Sequence, residues 1–107
     1  MRITVVGVDT PLTNEKRAYA EYRFFRSIAA HVARVRTVVV EIRRDSAGIR
    51  QFLCTVTLDL GSSGHVRTQA RAMHPSAAVD RAADRAAWLV DRRLRSDCSV
   101  KARGCAS

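Results

Sequence analysis

Four arginines and the only tryptophan of the chain recur at helical spacing near its C-terminal end. Arg81, Arg85, Trp88, Arg92 and Arg95 are separated by four, three, four and three residues. On an α-helix they form one stripe within an arc of about 80°. Guanidinium groups bind phosphates, and an indole can stack on a base or a ribose, so the stripe predicts a nucleic-acid contact. The alternative is that Trp88 only packs on the aliphatic stems of those arginines.

A second basic surface is predicted on a helix from Thr13, as its N-cap, to about Val35. We expect Lys16, Arg23 and Arg34 on its polar side, with Arg26 nearby. The buried side is predicted within an arc of about 80°, and it consists of Ala18, Tyr22, Phe25, Ala29 and Val32. Phe24 and Arg17 are placed on the flank. The candidate RNA contacts of both helices are therefore Lys16, Arg23, Arg26, Arg34, Arg81, Arg85, Trp88, Arg92 and Arg95.

The charge of the chain favours a polyanionic partner. Nineteen Lys and Arg face ten Asp and Glu, which gives a net charge of +9, and 17 of the 19 cations are arginine. Arginine suits bidentate phosphate contacts and base stacking, so nucleic acid is the first candidate. A basic surface that is only solvated is the alternative. Asp80, Asp84 and Asp91 run beside the arginine stripe and are predicted to moderate it through intrahelical ion pairs.

No residue pattern indicates catalysis, a metal or a cofactor. His31, His65 and His74 lack a Ser, Cys or carboxylate partner at a typical spacing, and "GSSG" lacks the lysine and helix of a nucleotide loop. Cys54, Cys98 and Cys105 form no CxxC pair, and Cys54 is expected in the core. No apolar run approaches the roughly 20 residues of a membrane span, and no export signal is present. We expect a cytoplasmic protein that is not an enzyme.

The remaining pattern predicts an α+β domain of order β-α-β-β-β-α. Alternation indicates strands at about 2–8 and in "TVVVEIRR", "RQFLCTVTLDL" and "HVRTQARA", with connections at "DSAGI" and "GSSG". A second helix begins at Pro75 and ends near Arg95. Its buried face is predicted to be Val79, Ala82, Ala83, Ala86 and Val90. We expect a four-stranded sheet with both helices on one face, a single domain over 1–97, and a flexible tail over 98–107.

Several segments together resemble the ribosome hibernation factors, the hibernation promoting factor and ribosome-associated inhibitor A group. They are "AAVDRAADRA" after a meander of three strands, "AYAEYRFFRSIAAHVARVRTVVVEI", and "RQFLCTVTLDL". The resemblance covers roughly residues 1 to 95 and rests on order and spacing, since no single motif is specific. Family members usually have an acidic residue and a tyrosine where this chain has His74, Pro75 and Ser76, and the hairpin "DSAGI" is shorter than in many of them.

The resemblance implies binding to the small ribosomal subunit and its rRNA, in the cleft where messenger and transfer RNA lie, so that translation is blocked by occlusion. No membrane, small-molecule substrate or cofactor is implied, and no C-terminal dimerisation domain is expected because the chain stops at Ser107. Two alternatives stay open. One is a generic double-stranded RNA-binding domain. The other is a basic protein adaptor that uses the outward strand residues Arg43, Arg67 and Arg71.

Overall fold

Four strands form one sheet, and two helices cover one of its faces. A computed structural model describes residues 1–8, 11–44 and 51–106, with the backbone alone for 97–106. The elements are, in chain order, β1 (Arg2–Val8), α1 (Asn14–Ile28), β2 (Thr37–Arg44), β3 (Phe52–Asp59), β4 (His65–Ala72) and α2 (Pro75–Ala106). Short 3₁₀ helices lie at Ala29–His31 and Gly61–Ser63. The predicted α+β class and element order are confirmed.

The strand order in the sheet follows the order in the chain, β1-β2-β3-β4. β1 pairs with β2 in parallel, with Val5 opposite Val40, because α1 carries the chain back to the start of the sheet. β2, β3 and β4 form the predicted antiparallel meander, in which Ile42 lies opposite Cys54 and Cys54 opposite Ala70. The connection predicted at 45–49 falls outside the described residues. β4 is an edge of the sheet, and α2 lies along it.

The core lies between the sheet and the helices, and alternate strand residues fill it as predicted. Val38, Val40 and Ile42 of β2 and Cys54, Val56 and Leu58 of β3 are at most 1% exposed. The face predicted for α2 is also confirmed, since Val79, Ala82, Ala83, Ala86 and Val90 are all buried. Alanines on this face let α2 lie close to the bulky side chains of the sheet. The polar stripe of α2 is consequently held at a fixed position beside β4.

The predicted buried face of α1 is wrong. Ala20, Phe24 and Ile28 are fully buried, whereas Tyr22 and Phe25 are 57% and 50% exposed. Ala18, Ala29 and Val32 are exposed as well. On a helical wheel the observed face is rotated by about 120° from the predicted one. Phe24, predicted on the flank, is the largest fully buried side chain.

The early end of α1 explains this error. Thr13 caps the helix as predicted, because its Oγ1 accepts a hydrogen bond from the Lys16 amide at 3.2 Å. The α-helix ends at Ile28, however, and not near Val35. Ala29 and Val32 then no longer continue its wheel, so the longer of two competing apolar stripes loses two of its five members. The shorter stripe contains Phe24 and Ile28, whose side chains have no polar atom, whereas burial of the longer stripe would also bury the hydroxyl of Tyr22.

α2 is longer than predicted. It begins at Pro75, as expected, but continues to Ala106 and not only to about Arg95. Leu94 is the last of its side chains to be buried among those described. A helix of 32 residues spans about 48 Å at 1.5 Å per residue, whereas an eight-residue strand spans about 27 Å. The C-terminal part of α2 therefore extends past the sheet.

Candidate nucleic-acid interface

An open groove of about 990 Å³ runs between α2 and the edge strand β4. Arginines from both elements line it, because α2 lies along the β4 edge of the sheet. The lining residues are Leu53, Arg67, Thr68, Gln69, Ala70, Arg71, Arg81, Asp84, Arg85 and Trp88. The sequence predicted the α2 residues as one surface and assigned Arg67 and Arg71 to another. The structure brings part of each set together in one groove, which we call the α2–β4 groove, whereas Arg43, Arg92 and Arg95 are not among its lining residues.

Arg81 and Arg85 are anchored to the edge of the sheet. Nη1 of Arg81 donates a hydrogen bond to the backbone carbonyl of Arg71 at 2.9 Å, and Nη1 of Arg85 donates to that of Gln69 at 2.7 Å. An edge strand leaves such carbonyls without a strand partner, and the two arginines satisfy them. Each guanidinium carries five N–H donors, so one bond to a carbonyl leaves others for a ligand. The anchors hold two positive charges at the wall of the groove.

Trp88 points away from the core, as predicted, and it is 59% exposed. The Arg92 guanidinium carbon lies 5.2 Å from the centroid of the Trp88 ring, within cation–π distance. One arginine of the stripe thus holds its guanidinium group against the indole. Much of the ring surface still faces the groove and the solvent. Whether Trp88 contacts RNA stays a prediction.

Arg23 does not lie on an open basic face. Its Nη2 is 2.7 Å from Oδ1 of Asp84 and its Nε is 3.3 Å from Oδ1 of Asp80, so Arg23 joins α1 to α2. The hydrogen bond with Asp84 raises the pKa of Arg23 above its ordinary value. Tyr19 donates a hydrogen bond to Asp80, and this bond raises the pKa of the Tyr19 phenol. Asp80 and Asp84 were predicted to pair with arginines of α2. In the structure they pair with residues of α1.

Of Asp80, Asp84 and Asp91, the last forms the predicted intrahelical pair. Oδ2 of Asp91 lies 3.1 Å from Nε of Arg95, one helical turn further on. Nε2 of His31 lies 3.3 Å from Oδ1 of the same Asp91. The side chain of Arg95 remains largely exposed, at 79%. Arg95 therefore stays accessible to a ligand while one acidic neighbour moderates its charge.

The other predicted contacts of the first helix region are spread over the surface. Lys16 lines a smaller cleft of about 350 Å³ at the amino ends of the two helices, together with Tyr19 and His74. Arg26 lies over the ring of Tyr22, with 5.8 Å between its guanidinium carbon and the ring centroid. Arg34 follows the helix, and its Nη2 donates to Oγ of Ser63 at 3.3 Å. None of these three lines the α2–β4 groove.

Arg93 was missed by the sequence reasoning. Its Nε donates to the backbone carbonyl of Ser63 at 3.0 Å, in the turn before β4. The next residue, Gly64, has a φ of 91°, and a Cβ added there would lie 2.9 Å from Nη2 of Arg93. The positive φ favours glycine at this position. The sequence did contain one signal for this contact. Arg93 falls on the apolar side of α2, where an arginine must extend past the sheet to reach a polar partner.

Two of the three histidines have a carboxylate neighbour that the sequence spacing did not predict: His31 pairs with Asp91, and Nε2 of His65 lies 3.8 Å from Oδ1 of Asp59. Burial raises the pKa of the Cys54 thiol to about 12, so the thiol is protonated at neutral pH. Among the residues that the structure describes, no group of three or more His, Cys, Asp and Glu could hold a metal ion. Over the same part of the chain, no helix is both long and apolar enough to cross a membrane. What the α2–β4 groove offers is positive charge and an aromatic ring.

The fold is similar to that of two solved structures. A ribosomal subunit interface protein from Coxiella burnetii superposes with a TM-score of 0.78 and 13% identity, over 89% of this chain and 99% of that one. The N-terminal domain of Protein Y from Thermus thermophilus has a TM-score of 0.72 and 24% identity, over 86% of this chain and 98% of its own. The resemblance drawn from the sequence is thereby confirmed as a likeness of fold.

No protein-family model matches the sequence, and no curated protein matches it either. The likeness therefore rests on the arrangement of strands and helices. It gives no information about the residues that line the groove.

Proposed function

We propose that the protein is a ribosome-associated factor that binds the small ribosomal subunit in the cleft where messenger and transfer RNA lie, and blocks translation by occupying that cleft. One observation carries the proposal. Arginines from α2 and β4 converge with an exposed tryptophan in one groove, on a domain with the fold of a ribosomal subunit interface protein. Such a factor acts in the cytoplasm. It needs no catalytic group, since occlusion makes and breaks no covalent bond.

The binding energy in this proposal comes mainly from phosphate contacts. Each phosphate that an arginine neutralises releases counterions, so affinity falls as the salt concentration rises. The contacts that we propose in and beside the groove are Arg67, Arg71, Arg81, Arg85, Arg92 and Arg95. Lys16, Arg26 and Arg34 are proposed as outlying contacts. Arg23 holds α1 against α2 through Asp80 and Asp84, and in this proposal it acts by positioning the helices.

The test is co-sedimentation of the purified protein with small ribosomal subunits at about 0.1 M salt, where a protein with several phosphate contacts stays bound. Initiator transfer RNA should displace it, and an equal amount of free duplex RNA should not. Protein that remains in the soluble fraction would rule out the proposal. Displacement by duplex RNA but not by transfer RNA would favour the generic duplex binder.

A pair of variants tests the groove itself. Arg81→Gln with Arg85→Gln should weaken binding and lower the slope of log affinity against log salt by about 0.7 to 0.9 for each lost contact. Arg43→Gln is the matched control, because Arg43 pairs with Glu41 on the uncovered face of the sheet. It should leave binding unchanged. A loss with Arg43→Gln and none with the groove variant would favour the adaptor. Thermal melting shows whether each variant is folded.

A further inference from the structure

We infer that the α2–β4 groove is a site for an unpaired nucleotide, with its base stacked on Trp88 and its phosphate bound by Arg81 and Arg85. The inference rests on the proposed function in taking RNA as the ligand, and it narrows the ligand from ribosomal RNA in general to a strand whose bases are free to stack.

The aromatic half of this site is already oriented. Trp88 is 59% exposed in the groove wall, and Arg92 lies one turn further along α2 with its guanidinium 5.2 Å from the ring centroid. A cation against the indole restricts its rotamers, so less conformational entropy is lost when a base stacks on it. An exposed and restrained indole is a suitable stacking platform for any base, because every base has a π-face.

The phosphate half of the site is oriented by the sheet. Arg81 and Arg85 are fixed by their bonds to the carbonyls of Arg71 and Gln69, and their other N–H groups remain available. The same bonds disfavour a competing ligand. A peptide that added to the β4 edge at Gln69 and Arg71 would have to displace both arginines from the carbonyls. The groove therefore favours a phosphate ligand over an extended peptide.

Stacking on Trp88 requires an unpaired base. In duplex RNA both faces of each base are covered by its neighbours, and proteins contact mainly the backbone and the shallow minor groove. A single strand can turn a base outward and place it on an aromatic ring. Asp84, whose carboxylate is paired with Arg23, also lines the groove and limits how many phosphates can lie side by side there. One nucleotide with its flanking phosphate fits these features.

Trp88 is the only tryptophan, so its fluorescence reports on this groove alone. The protein is titrated with a single-stranded RNA of about eight nucleotides, a length within the usual site size, and with a duplex of the same sequence. We expect saturable quenching by the single strand and much weaker quenching by the duplex. Quenching by the duplex equal to that by the single strand would overturn the inference, and so would the absence of quenching by both.

Two variants test the stacking by anisotropy of the labelled single strand. Trp88→Ala should weaken its binding by about 5- to 150-fold, and Trp88→Phe by less. Tyr22→Ala is the matched control, because Tyr22 is 57% exposed on α1 and also carries an arginine, Arg26, one turn further on. It should bind as the wild type does. Wild-type affinity in Trp88→Ala, or an equal loss in Tyr22→Ala, would contradict the inference. Thermal melting of Trp88→Ala confirms its fold.

The two proposals fail separately. Binding of the single strand that depends on Trp88, without binding to ribosomal subunits, supports the nucleotide site and refutes the proposed function. Binding to subunits with no effect of Trp88→Ala on either RNA or subunits supports the proposed function and refutes the nucleotide site.

Discussion

At the scale of single residues, the burial of Cys54 predicts a pH dependence of stability. Its pKa is about 12 in the folded protein and 9.0 in an exposed thiol. A raised folded pKa stabilises the fold below pH 9, and this stabilisation is lost as the pH rises from 9 towards 12. The unfolding free energy should therefore fall by about 1.4 kcal/mol for each pH unit in that range on account of this thiol. Denaturant unfolding at pH 8, 9 and 10 measures it.

The control for this prediction is Cys54→Ala, which lacks the ionising group. It loses a small amount of packing at every pH, so its difference from the wild type should be constant below pH 9 and should shrink above it. A difference that does not change between pH 8 and 10 would show that the thiol ionises as easily in the folded protein as in the unfolded chain.

At the scale of elements, two neighbouring phenylalanines of α1 test which face is buried. Phe24 is fully buried and Phe25 is 50% exposed. Phe24→Ala should lower the unfolding free energy by about 3 to 5 kcal/mol, because it leaves a cavity against the sheet. Phe25→Ala should change it by less than about 1 kcal/mol. Urea denaturation of both variants decides, and equal losses would mean that the face of α1 is not the one described.

The contrast between the helices shows how far sequence patterns determine a fold. The face of α2 was predicted correctly because alanines and valines on one side oppose arginines on the other. α1 offers two apolar stripes, and the choice between them depends on where the helix ends and on its contacts with α2. Tyr19 and Arg23 fix the rotation of α1 by binding Asp80 and Asp84. Partners 61 residues away in sequence are not visible to a periodicity argument.

The α2–β4 groove shows that sequence patterns predict the candidate site only in part, as they do the fold. The spacing of Arg81, Arg85 and Trp88 predicted one surface, and the alternation of β4 predicted that Arg67 and Arg71 point outward. Each pattern describes one element. That the two surfaces form one groove depends on the position of α2 over the sheet edge, which is set by packing of side chains from several elements.

At the scale of the whole molecule, the protein is an elongated domain of 54 × 26 × 17 Å with an excess of nine positive charges. The long dimension follows α2, whose last buried side chain among those described is Leu94. Among the side chains that the structure describes, the core between sheet and helices thus ends at Leu94. The net charge acts over the entire surface and favours approach to a polyanion, whereas the groove determines how the ligand is held.

Truncation after Asp97 tests this division between the core and the end of α2. We expect the shortened chain to keep one cooperative thermal transition, with a melting temperature within about 4 °C of the full chain, because changes outside the core are worth about 0.5 kcal/mol or less. The truncation removes Lys101 and Arg103 and no acidic residue. If the end of α2 contacts no phosphate, the salt dependence of subunit binding should also be unchanged. Loss of the cooperative transition would show that the folding core extends beyond Asp97. If the truncated chain folds normally but its log affinity falls less steeply with log salt concentration, phosphate contacts lie on the end of α2.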